Sequence, residues 1–156
     1  MMKNALATSA LAAALVHCLP AQAHSVTTVG SGCDGTSTST PLTLSSNAPV
    51  IGTTWTLTEI NIPAGAFGMF FFGDTVVNPG VDLTSIGGTG CFIYTNGNIG
   101  FQTAPISSQT STLNVPIPAT SSLVGSSLVV QATGGSSVLP LLFGTSNALS
   151  ITVGSV

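Results

Sequence analysis

The side chains able to do covalent, acid–base or metal chemistry are few and scattered. They are three cysteines (Cys18, Cys33, Cys91), two histidines (His17, His24) and four acids (Asp34, Glu59, Asp74, Asp82); Lys3 is the one basic residue. Nucleophilic catalysis needs a base held against a hydroxyl or thiol. Serines abound, but a Ser–His–acid triad would have to draw its base from His24, which is expected to be the first residue of the mature chain. A chain terminus is a poor place to hold a base rigidly.

His24 raises a second chemistry. A secreted β-sandwich that begins with His is the setting of copper-dependent polysaccharide monooxygenases, in which the terminal amine and imidazoles hold the metal. No second His follows residue 24, so the ligand set for a redox copper is incomplete. Gly30-Ser31-Gly32-Cys33-Asp34-Gly35 matches the spacing of a dinucleotide fingerprint, yet a Ser/Thr tract ending in Pro41 follows it where a phosphate-cradling helix is required. Calcium loops gather acids at alternate positions, whereas Asp74 and Asp82 are well separated and Asp34 and Glu59 stand alone. Glycoside hydrolysis asks for two acids across a sugar cleft, a spacing that sequence does not reveal. No residue is assigned a catalytic or metal-binding role, and no cofactor is expected.

Sugar binding without catalysis needs only an aromatic platform and neutral donors. Trp55 and Tyr94 are the candidate ligand contacts. Trp55 lies in an alternating strand and reads first as core; Tyr94, beside a turn, reads as the more exposed of the two.

The elements that would position these residues begin with a targeting segment. Residues 1–23 read as a secretory signal peptide: Lys3 supplies the charged start, 5–19 the apolar run, and Ala21-Gln22-Ala23 the cleavage site, with the cut between Ala23 and His24. The apolar run is too short for a transmembrane helix. Lipidation at Cys18 is the competing reading, weakened by His17 where a small residue is wanted. The protein is therefore expected to be secreted or at the cell surface, and not integral to the membrane. Cleavage removes Lys3 and leaves residues 24–156 without Lys or Arg. Such a chain cannot neutralise phosphates, which excludes nucleic acid as a partner. Cys33 and Cys91 then remain as an even pair in an oxidising compartment, with no imidazole or third thiol to make a metal site. They are expected to form a disulfide worth roughly 4 kcal/mol on the chain-entropy model.

Of 156 residues, 44% are hydrophobic and 3% charged, the reverse of a disordered chain. Beyond residue 23, Gly and Pro punctuate the sequence so regularly that the longest stretches free of both are 53–62 and 106–115, rich in Thr, Ser, Ile and Val. This predicts an all-β fold, an antiparallel β-sandwich of the Ig-like or jelly-roll-like kind, over 24–156 as one domain. Strands are expected at 26–29, 41–45, 53–62, 66–72, 91–95, 99–103, 111–115, 128–132 and 148–153. Trp55 and Leu57 alternate with threonines, but Ile60 and Ile62 carry the apolar side on the other parity, which predicts a bulge or sheet crossing there. Asn96-Gly97 between apolar runs predicts a hairpin.

Met69-Phe70-Phe71-Phe72 is continuously apolar. It reads as a central strand packed on both faces, or as an exposed aromatic surface for a partner. With no Lys or Arg to pair with, all four acids are expected at solvent or in hydrogen-bonded turns.

Several phrases together resemble an uncharacterised secreted β-sandwich domain family of planctomycetes and myxobacteria. They are Gly32-Cys33, Pro49-Val50-Ile51-Gly52-Thr53-Thr54-Trp55-Thr56-Leu57-Thr58, Ile62-Pro63-Ala64-Gly65-Ala66-Phe67-Gly68, Phe72-Gly73 and Gly80-Val81-Asp82-Leu83. Gly90-Cys91, Val115-Pro116-Ile117-Pro118, Leu123-Val124-Gly125, Gln131-Ala132 and Thr145-Ser146-Asn147-Ala148-Leu149 complete the set. The resemblance implies export, a sandwich and a cysteine pair, and carries no catalytic residue. The expected function is a non-catalytic structural or assembly module whose partners are copies of itself or other extracellular proteins. The alternative is a carbohydrate-binding module for polysaccharide.

Overall fold

The computed structural model describes residues 21–34, 40–62, 66–136 and 143–155. Most of the expected signal peptide, Cys18 and nearly all of the Ser/Thr tract lie outside them. Among the described residues there is no α-helix, and the chain runs through eleven strands. These are β1 (Ser25–Val29), β2 (Thr43–Ser46), β3 (Thr54–Ile60), β4 (Ala66–Gly73), β5 (Val76–Asp82) and β6 (Phe92–Thr95). Then follow β7 (Gly100–Ala104), β8 (Ile106–Ser107), β9 (Thr110–Pro116), β10 (Ser127–Ser136) and β11 (Phe143–Thr152).

All strand pairings are antiparallel. One sheet has the order β1-β11-β10-β4-β7, a second β2-β3-β9-β8, and β5 pairs with β6 alone. The alternation that predicted strands explains how the two larger sheets meet. Leu44, Trp55 and Leu57 point inward from the second sheet, and Phe70, Val130, Ala132, Leu149 and Ile151 from the first, to form one buried core. The far face of the second sheet is wet: Thr54, Thr56, Thr58, Thr112 and Asn114 alternate with the core residues, and Thr56 Oγ1 donates to Asn114 Oδ1 at 2.9 Å. The fold is the antiparallel sandwich the sequence predicts.

The β5–β6 pair makes a third layer over the outer face of the first sheet. Its Leu83, Ile86 and Ile93 meet Phe67, Met69 and Phe71 around a pocket of about 330 Å³. The apolar run 69–72 thus serves both faces of a central strand, with Phe70 in the core and Met69 and Phe71 half-covered outside.

Four expectations are corrected. The Asn96-Gly97 turn joins no hairpin, because β6 pairs with β5 while β7 pairs with β4. β3 keeps a single parity to its end, with Glu59 inward and Ile60 facing out, 40% exposed; the phase changes only past the strand, at Asn61 (φ 66°), after which Ile62 is fully buried as expected. Two strands, β5 and β8, were not expected. The acids divide two and two: Asp74 and Asp82 sit in hydrogen-bonded turns, whereas Asp34 and Glu59 are buried.

Candidate functional site

Cys33 and Cys91 are joined, with Cα atoms 5.2 Å apart, inside the range a relaxed disulfide spans. The bond ties the segment after β1 to the start of β6, and so fastens the third layer to the first sheet. Gln131, fully buried on the outer face of β10, does the same by hydrogen bonding: its Nε2 donates to the carbonyls of Phe92 and Ser146, and its Oε1 accepts from the Tyr94 N–H, each at 2.8 Å. Thr145 Oγ1 adds a 3.1 Å bond to the Phe92 carbonyl.

Tyr94 is half-buried in this arrangement. Its ring lies so close to Gly30, a residue at φ +66°, that a Cβ there would fall inside it, and Gly80 flanks it as well. Phe92 stands 6.2 Å away, centroid to centroid. Trp55 is 2% exposed and meets Phe72 edge-on, with centroids 6.4 Å apart. The two sequence-predicted ligand contacts are not brought together: Trp55 is between the sheets and Tyr94 is in the outer layer.

At one pole of the sandwich the sheets part around an apolar groove of about 370 Å³. Trp55, Phe72, Phe101, Ile117, Leu123 and Ile151 line it, and no titratable side chain does. The Trp55 indole N–H is buried without an acceptor. One wall of the groove is β7, the open edge of the first sheet, with Ile99 just before it; Ile99 and Phe101 are 60% and 62% exposed. Phe101 continues the outer aromatic surface through Phe71, at a centroid distance of 6.1 Å, to Phe67, 48% exposed.

The titratable groups are apart from both features. Glu59 sits between the sheets opposite Ser111, and neither carboxyl oxygen has a hydrogen-bond partner. Burial pushes its carboxyl up to about 8. The space it occupies exists because Gly68 faces it: a Cβ on Gly68 would collide with the Ser111 hydroxyl and stand 3.4 Å from Glu59 Oε2. Asp74, by contrast, is exposed and accepts from Asn98, Asn96 and Thr75, which holds it down at about 2. Hydrogen bonds from Thr84 lower Asp82. Among the described residues no three His, Cys, Asp or Glu side chains gather as a metal site, and no helix is long and apolar enough to cross a membrane.

At the front of the described chain, Ala23 and His24 are exposed beside the last residues. The Gln22 N–H donates to Ser155 Oγ and the Ser155 N–H to the Gln22 carbonyl, both at 3.0 Å. Sequence reasoning missed Gln131, although a lone amide among Val129, Val130 and Ala132 marks a buried polar group that must be satisfied. It also missed the groove, whose walls come from six separate strands and their connections. No family model, curated protein or solved structure matches the chain.

Proposed function

We propose that the protein is a non-catalytic, exported β-sandwich, secreted or held at the cell surface, that works by self-association. The observation that carries this is the edge strand β7. Edge strands offer unpaired N–H and C=O groups to other chains, and proteins blunt them with charge, proline or cover. β7 carries none of the first two within Gly100–Ala104, and it presents Phe101 to solvent. Two copies can pair these edges antiparallel about a two-fold axis and bury Phe101, Phe71 and Phe67 without desolvating a charge. The absence of Lys and Arg beyond residue 3 supports the same reading.

Sedimentation of residues 24–156 over a wide concentration range tests it. Self-association that Thr103→Lys, a charge on the outer face of β7, converts to monomer is the expected result. A dispersed monomer at high concentration, with no binding to cells of the source, sinks the proposal. Polysaccharide binding through Tyr94 and Trp55 is the weaker reading, since Trp55 is enclosed and Tyr94 is half-buried.

A further inference from the structure

We infer that Asn96-Gly97 is a site of spontaneous covalent modification, at which the Asn96 amide leaves as ammonia to give aspartate and isoaspartate, and that Asp74 is the brake on this step. The chemistry needs a side-chain amide beside the next backbone nitrogen, and no side chain on that next residue to obstruct ring closure. Both conditions are met here. Asn96 is exposed, and Gly97, at φ +61°, has open space where a Cβ would stand. Asn96 Oδ1 and the Gly97 nitrogen crowd the same point over Gly73, where a Cβ would strike both. The other described asparagines are followed by Ala, Ile or Val, or, at Asn78, by Pro79, which has no N–H to give.

The Gly97 nitrogen gives up its proton and attacks Asn96 Cγ. A succinimide closes as the Cγ–Nδ2 bond breaks, and Nδ2 leaves with that proton as ammonia. Water then opens the ring at either carbonyl, so the co-reactant is water and nothing is oxidised or reduced. Before the attack, Gly97 must release its 3.3 Å bond to Thr95 Oγ1, and the Asn96 side chain must swing off Asp74, whose Oδ1 accepts from Nδ2 at 2.7 Å. The bond to the carboxylate is the stronger of the two. Asp74 is itself fixed by Asn98, which donates to Oδ2 at 2.8 Å and accepts from the Asp74 N–H at 3.2 Å. In either product a carboxylate replaces the amide donor near Asp74, so the turn loses a bond and gains a like charge. The modification is independent of self-association.

The experiment incubates folded residues 24–156 at mildly alkaline pH and digests samples with chymotrypsin at intervals. Cleavage after Tyr94 and Phe101 isolates a peptide holding Asn96 and Asn98, and tandem mass spectrometry tells the two apart. The mass gain of exchanging NH for O is expected at Asn96 ahead of every other asparagine, and at no rate that matches it in Asn96→Gln. Asp74→Ala should speed conversion about fivefold, a modest value for one exposed charge-assisted hydrogen bond. Asn98→Ala loosens the carboxylate from its other side and should speed conversion less, which tests the brake even if Asp74→Ala fails to fold. Asp82→Ala, at an exposed acid of a different turn, should leave the rate unchanged. Anion exchange resolves the product by its added charge, and hydrogen exchange should find the Asp74 amide less protected in it. Conversion at Asn96 no earlier than at the other asparagines overturns the inference. Equal rates in the wild type and every folded variant overturn the brake, as does an Asp82→Ala acceleration matching that of Asp74→Ala. An Asp74 amide equally protected in product and parent overturns the opening of the turn.

Discussion

The Gln131 amide donates 2.8 Å to the Phe92 carbonyl while its oxygen accepts from the Tyr94 N–H, so one side chain of the first sheet clamps both ends of a short stretch of β6. Fully buried, it also reaches the Ser146 carbonyl. Gln131→Leu keeps the bulk and strands these groups, the Tyr94 N–H above all. The expected cost is roughly 2–4 kcal/mol, given about 1–3 kcal/mol for each buried group left unpaired. Hydrogen exchange should localise the effect: amides of β6 should lose protection first, while those of β3 and β9 keep theirs. Uniform loss across all strands would show that the third layer is not a separately fastened unit.

The disulfide performs the covalent half of that fastening. Replacing Cys33 and Cys91 by Ser should lower stability by about 2–4 kcal/mol and open the third layer to proteases. Trypsin cannot report this, because residues 24–156 contain no Lys or Arg. Chymotrypsin can: Phe92 and Tyr94 lie in β6, and cleavage there should accelerate in the double variant well before the sandwich core is attacked.

Gly68 makes a steric prediction. It faces Ser111 across the sandwich with no room for a Cβ. Gly68→Ala should destabilise by about 1–3 kcal/mol through overpacking. Ser111→Ala removes the hydroxyl that the new methyl would strike, so the double variant should recover part of the loss. Thermal denaturation of the four proteins in this cycle gives the coupling, and strict additivity would show that the two positions do not meet.

These residues also mark where the sequence was legible. Alternation at 54–58 announced a strand with one wet face, because a strand's side chains alternate between its faces. The four-residue apolar run at 69–72 announced a strand covered on both faces. The parity reading failed at Glu59. An acid at an inward position breaks the apolar code, so the phase shift was placed before Ile60, which faces out, when it comes after it, before the buried Ile62. β5 stayed hidden because Pro79 and Gly80 sit inside it, and both residues ordinarily end strands. The Asn96-Gly97 signal was local and correct as a turn; which strands it joined depended on long-range pairing that no short window contains. The groove at the pole was illegible for the same reason, since Trp55, Phe101 and Leu123 come together only through sheet order.

Glu59 yields the sharpest prediction, a pH dependence. Its carboxyl titrates near 8 in the folded protein, against an ordinary value of 4.5, because burial disfavours the charged form. Below pH 4.5 both folded and unfolded chains hold the proton, and this group leaves stability independent of pH. Between 4.5 and 8 the unfolded chain has released the proton while the folded one keeps it. Stability therefore falls as pH rises, at about 1.4 kcal/mol per pH unit at most. Above 8 the folded carboxyl ionises too and the decline levels off. Asp74 and Asp82 work in the opposite sense, but only at acid pH. Their lowered values add stability that is present above their ordinary value of 3.8 and is lost as pH falls through the folded ones. Denaturant unfolding at pH 5, 6.5 and 8 should show the wild-type protein weakening steadily. Glu59→Gln should remove the slope, whatever constant offset its unpaired amide adds. A wild-type stability that stays level from pH 5 to 8 would mean that the carboxylate finds water or a partner in solution, and that the space opposite Gly68 is not dry.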